Sequence, residues 1–137
     1  MRRNLAKPIL SRLLAETSAA AAVEFAFALP VLLLAMLGVL EFGRALWYQN
    51  ALHYAVEEAA RCVTIDTSVC SSPSATQSFA AARAGLNFSN SVFTVTTAGC
   101  GNKVSATYPF QTLALPVSGS SSASYSFTLT AQSCYPS

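Results

Sequence analysis

Charge is what this sequence has least of. Only 10% of its residues are Asp, Glu, Lys or Arg, where a soluble domain carries about a quarter. The shortage does not indicate disorder, because disordered chains are polar and highly charged and this one is 53% hydrophobic. No basic cluster follows residue 20, so a nucleic-acid partner is not expected. Histidine occurs once, at His53, and the cysteines contain no C-x-x-C pair. A zinc site is therefore not expected, nor any other cofactor. Phosphate loop, nucleophile elbow and metal box are all missing. Glu57 and Glu58 are adjacent and diverge around a helix, so they form no catalytic acid pair. The chain is expected to be no enzyme and to take no small-molecule substrate.

What the sequence does have is one long apolar run. From Ala19 to Leu40 it is apolar except for Glu24, with Pro30 and Gly38 as its only helix-weakening residues. Residues 20–40 would span roughly 31 Å as a helix, the thickness of a bilayer core. The alternative is a cleaved secretory signal peptide. Against it stand the length of the run, its unbroken continuation into helical sequence, and the acid near its start. Residues 1–19 carry Arg2, Arg3, Lys7 and Arg12 against Glu16, a net +3, while the rest of the chain sums to −1. The positive-inside rule then keeps the N-terminus cytoplasmic and exports the remainder. The divisions expected are a basic leader at 1–19, a transmembrane helix at 20–43 and an exported head at 44–137.

Beyond the apolar run, Trp47 and Tyr48 suit the interface level, and the pattern becomes amphipathic. Tyr48, Leu52, Ala55, Val56, Ala59 and Val63 recur at helical spacing. Asn50, His53, Glu57 and Arg61 form the opposite stripe, with Glu57 and Arg61 spaced for an i,i+4 pair. One helix of about 45 residues is expected, apolar all round in its first half and on one face in its second. Ser72-Pro73 opens a second, short helix with an apolar face at Ala75, Phe79, Ala82 and Leu86 and its end near Gly85. Three strands follow, at 91–97, 103–110 and 124–130, with a flexible Gly/Ser segment at 118–122. The expected fold is α+β: a long N-terminal helix whose amphipathic part packs on a small antiparallel three-stranded sheet.

Cys62, Cys70, Cys100 and Cys134 all lie after the apolar run, so two disulfides in an exported head are expected, against four free thiols in a cytosolic one. In a meander the start of the second strand lies near the end of the third, which favours Cys100–Cys134 and leaves Cys62–Cys70 to close a small loop.

The segment from Ala20 to Arg61 resembles the TadE-like family of pseudopilins from Tad-type (tight adherence) pilus systems. The residues that carry the resemblance are Ala-Ala-Ala-Val-Glu-Phe-Ala at 20–26, Leu-Pro-Val-Leu-Leu-Leu at 29–34, Gly-Val-Leu-Glu-Phe-Gly-Arg-Ala at 38–45 and Glu-Ala-Ala-Arg at 58–61. It implies a pilin-like architecture, and a prepilin whose basic leader is removed on the cytoplasmic side by a prepilin peptidase. Mature chains of this type usually carry Glu as their fifth residue, which places the cut between Ala19 and Ala20. The residue before the cut is usually Gly, and here it is Ala19.

An acid deep in hydrocarbon costs about 2.5–3.5 kcal/mol and marks a functional candidate. The α-amino group created at Ala20 of a neighbouring subunit could pair with Glu24 and register the helices. The alternative leaves Glu24 at the headgroup level with no such role. Pro30 has two readings as well, a tolerated kink or a point where the helix loosens during assembly. The resemblance implies a minor pilin or pseudopilin in the bacterial inner membrane. Its partners would be inner-membrane lipid, a prepilin peptidase and other pilin subunits. The competing reading is a membrane-tethered binding or adhesion module that is neither processed nor built into a filament.

Overall fold

The computed structural model of the chain describes residues 17–112 and 125–136. The elements run α1 (Thr17–Ile65), α2 (Pro73–Arg83), a short 3-10 turn (Asn90–Val92), β1 (Phe93–Ala98), β2 (Gly101–Gln111) and β3 (Ser126–Tyr135). The architecture is α+β with one antiparallel sheet in the order β1-β2-β3. Most of the expected leader and the Gly/Ser segment at 118–122 lie outside the described residues. The chain divides into two compact units, Met1–Leu40 and Glu41–Ser137.

In the first unit, every described side chain from Ala20 to Leu40 is exposed, Val23, Phe27, Leu33 and Met36 among them. Pro30 sits inside α1 without ending it. The flanking Ala and Leu residues are strong helix formers, and in a membrane setting an isolated proline is tolerated.

In the second unit, α1 supplies Leu52, Ala55, Val56, Ala59 and Ala60 to the core. This is the expected amphipathic face, and Asn50, His53, Glu57 and Arg61 are exposed as its opposite. Among the described residues no ion pair joins Glu57 to Arg61. Of the two aromatics placed at an interface, only Trp47 stays exposed. Tyr48 lies in phase with Leu52 and Val56, and it packs edge-on to Phe88 and Phe110 and stacks on Tyr108.

The short helix begins as its sequence dictates. The Ser72 hydroxyl accepts from Ala75 N–H, and Pro73 takes the first turn, where its missing N–H costs nothing. Its buried face is Thr76, Ala80 and Ala84, one position off the face expected from its larger apolar residues, and Ala82 is exposed. Thr76 can be buried because its hydroxyl donates to the Ser72 carbonyl at 3.0 Å, which leaves only its methyl group to pack. Gly85, at φ 66°, turns the chain out of the helix.

Register explains the sheet's inner face. Phe93 lies opposite Ala106, and Ala106 lies opposite Ala131, so one large ring is matched by two small side chains across three strands. Val104, Phe110 and Leu129 complete the face. β1 pairs with β2 only as far as Phe93–Ala106. Residues 107–111 of β2 therefore have β3 alone as a partner, which is why Pro109 is accepted in the middle strand. β1 and β3 begin two residues later than expected, β2 is longer than expected at both ends, and β3 runs five residues further, to Tyr135. The polar residues Gln132 and Ser133 hide that extension from a pattern of alternating hydrophobicity.

Candidate functional site

Two places in the chain carry features beyond fold maintenance. The first is the exposed apolar part of α1. Ala19 and Ala20 fall in the first turn of the helix, and Glu24 lies one turn further on, exposed. At about 100° per residue, Ala20, Ala28, Ala35 and Gly38 all fall within roughly 40° of Glu24, so the acid heads a stripe of small residues. A Cβ added at Gly38 would meet nothing within 4 Å. Among the described residues nothing therefore requires glycine at that position. Pro30 lies about 120° away from the stripe. A helix within Ala20–Ile65 is long and apolar enough to cross a membrane.

The second place is the start of the second unit. Arg44 Nη2 donates to Glu41 Oε1 at 2.6 Å and to the carbonyl of Gln111 at 2.6 Å. The guanidinium carbon stands 4.7 Å from the centre of the Phe110 ring. Its Nε is buried without a partner among the described residues. Arg44 thus ties α1 to the last residue of β2, beside a cleft of about 360 Å³ shared with Tyr48, Tyr108 and Pro109. In the sequence Glu41 and Arg44 stand only as part of the family-like run at 38–45. Nothing there signals that Arg44 docks on the sheet, because Gln111 lies 67 residues away.

One turn further along α1, Gln49 Nε2 donates to the Thr130 carbonyl at 2.8 Å and lies 2.9 Å from His53 Nε2. A Gln amide can serve both as donor, which makes that imidazole nitrogen the acceptor. His53 is itself exposed.

The cysteines pair as Cys62–Cys70 and Cys100–Cys134, with Cα–Cα distances of 5.9 and 6.2 Å. Inside the smaller loop, Asp66 N–H donates to the Cys62 carbonyl and Cys70 N–H donates to the Asp66 carbonyl. The Asp66 carboxylate accepts from the Ser68 hydroxyl at 2.6 Å and from Val69 N–H at 3.3 Å. The hydroxyl first, then the amide, holds this acid below the usual aspartate range. Among the described residues no three His, Cys, Asp or Glu side chains gather where a metal could bind.

Comparison with known families gives one match. The model described as TadE-like protein covers residues 19–61, which includes Ala19, Ala20, Glu24, Pro30, Glu41 and Arg44. The sequence resemblance over 20–61 is thereby confirmed. No match was found among curated proteins or solved structures.

Proposed function

We propose, from the TadE-like segment at residues 19–61, that this chain is a membrane-anchored minor pilin or pseudopilin. It takes part in assembling a Tad-type (type IVb) pilus or its secretion machinery. The observation that carries the reading is the matched segment itself, an exposed apolar helix with a single acid near its start. A side chain exposed along that whole length needs lipid or other helices as cover.

In this reading α1 crosses the bacterial inner membrane once. The basic N-terminus stays in the cytoplasm and the head lies outside it. The two disulfides suit that location, since such bonds persist in oxidising compartments. A prepilin peptidase cuts between Ala19 and Ala20. Glu24 then receives the new α-amino group of a neighbouring subunit, and the flanking Ala20, Ala28, Ala35 and Gly38 let helix backbones approach closely. Pro30 interrupts the helical hydrogen bonding one to two turns beyond Glu24 and eases the bend that packing demands.

The test is Glu24→Gln in cells that carry the matching pilus machinery. The variant is isosteric and should reach the membrane in normal amount. Loss of a desolvated charged hydrogen bond of about 1.5–3 kcal/mol should lower its recovery in cross-linked pilin complexes about tenfold or more. Equal recovery of the variant and the parent would remove Glu24 from assembly.

A further inference from the structure

The head presents an uneven distribution of apolar surface. Among the described residues from Glu41 onward, nine large apolar side chains are exposed, and five of them are Phe42, Leu46, Trp47, Tyr125 and Phe127. These five belong to one end of the head. Arg44 touches Gln111 and the Phe110 ring, Phe110 meets the Phe127 ring at 5.1 Å, and Thr112 donates to the Tyr125 carbonyl. The opposite end is marked by Asn102, whose amide reaches the Thr64 hydroxyl at 3.4 Å. Residues 44 and 64 stand roughly 30 Å apart along a helix, so the two ends are well separated.

Charge has the opposite distribution. Glu57, Glu58, Arg61, Asp66, Arg83 and Lys103 belong to the remainder of the head, and residues 104–137 carry no charge. At the aromatic end only Glu41 and Arg44 are charged, and they neutralise each other at 2.6 Å. Trp47 is 66%, Tyr125 76% and Phe127 45% exposed. Trp and Tyr rings beside an Arg, with no net charge to desolvate, are the composition of a surface that lies at the boundary between headgroups and acyl chains.

We propose that this end of the head, bearing Trp47, Tyr125 and Phe127, docks on the lipid headgroup boundary, so that β3 begins at the membrane surface. The proposal rests on the reading that α1 spans a bilayer. The occupant is lipid because Phe42, Leu46 and Trp47 follow directly in sequence on the apolar run that ends at Leu40. The patch also has no charge pattern with which to specify a protein partner.

Trp47 is the chain's single tryptophan, which makes fluorescence the natural readout. The full chain would be reconstituted in phosphatidylcholine bilayers brominated either near the carbonyl end or near the methyl end of the acyl chains. Beside the parent, three variants carry Trp47→Phe together with Phe127→Trp, Tyr125→Trp or Leu33→Trp. Tyr125→Trp guards against misfolding at Phe127, because Tyr125 is the most exposed ring of the three.

Quenching at position 33 by the methyl-end lipid reports insertion. Docking predicts about twofold quenching at positions 47, 125 and 127 by the carbonyl-end lipid and shielding from aqueous iodide, as for rings lodged roughly 5–10 Å within the boundary. Quenching at 33 with positions 125 and 127 open to iodide would overturn docking and leave the membrane helix standing. No quenching at 33 would sink both. Positions 125 and 127 shielded from iodide and bromolipid alike would put a second copy of the chain on this surface, which also overturns the proposal.

Discussion

Arg44 donates from Nη2 to the main-chain carbonyl of Gln111 at 2.6 Å, joining residues 67 positions apart in sequence. The same nitrogen holds Glu41, and the guanidinium covers the Phe110 ring. Substitution Arg44→Met keeps the aliphatic stem and removes these contacts. A charged hydrogen bond and a cation–π contact together predict a loss of about 1–2 kcal/mol, after allowance for partial solvent exposure. Arg44→Lys should recover less than half of this, because an ammonium lacks the planar fork. Urea unfolding of the detergent-solubilised full chain, followed by near-UV circular dichroism, measures both. A loss below a few tenths of a kcal/mol would mean that the contact does not hold the sheet.

The disulfides should differ in their contributions. Cys62–Cys70 spans 8 residues of sequence and Cys100–Cys134 spans 34. Loop entropy then predicts about 2.5 kcal/mol for the first and about 4 kcal/mol for the second. Replacing both cysteines of one pair by Ser, one pair at a time, should give the larger drop in melting temperature for the longer loop. The reverse order would point to the Asp66 turn as the more important brace.

Asp66 predicts an acid dependence of stability. Its folded pKa is lowered, so its contribution is fully present above its unfolded value, near 3.8. It is lost as pH falls through the folded value. In Asp66→Asn the stability difference from the parent should be constant above about pH 5 and should shrink as the pH falls further below about 4. A difference that stays flat down to pH 2 would show that Ser68 and Val69 hold the neutral acid equally well.

Gly38 separates internal packing from packing between helices. A Cβ added there meets nothing within 4 Å among the described residues, and the neighbouring side chains are exposed, so Gly38→Leu should leave the head's unfolding transition unchanged. In the proposed assembly it should disrupt helix association, because Gly38 shares the Glu24 stripe. Cross-linking yield in membranes checks this, and an unchanged yield would take that stripe out of the interface.

Much of this was legible in the sequence, and the parts that were not share a cause. The continuity of α1 follows from an apolar run that passes directly into the Leu52, Ala55, Val56, Ala59 spacing, both of them local patterns. The disulfide pairs followed from the meander. The buried face of α2 was misplaced because Phe79 and Leu86 outweigh Thr76 and Ala80 in hydrophobicity. What decides the matter is that Thr76 satisfies its own hydroxyl and Ala80 fits closely, which no propensity records. Tyr48 was divided between interface and core, and its ring partners Phe88, Tyr108 and Phe110 lie 40 or more residues away. Arg44 was invisible as a clamp for the same reason: a hydrogen bond to a distant carbonyl leaves no trace in local composition. Glu24 and the small residues aligned with it, Ala20, Ala28, Ala35 and Gly38, were both legible, because helical spacing alone puts them on one stripe.

The most direct test of the whole account is the N-terminus of the mature protein. The full chain would be expressed with a matching prepilin peptidase, purified from membranes and read by mass spectrometry. The account predicts a product starting at Ala20, lost when the peptidase is inactive. A product that keeps Met1 or Arg2 under the same conditions would contradict it, and the chain would then be a membrane-tethered module that is never processed for assembly.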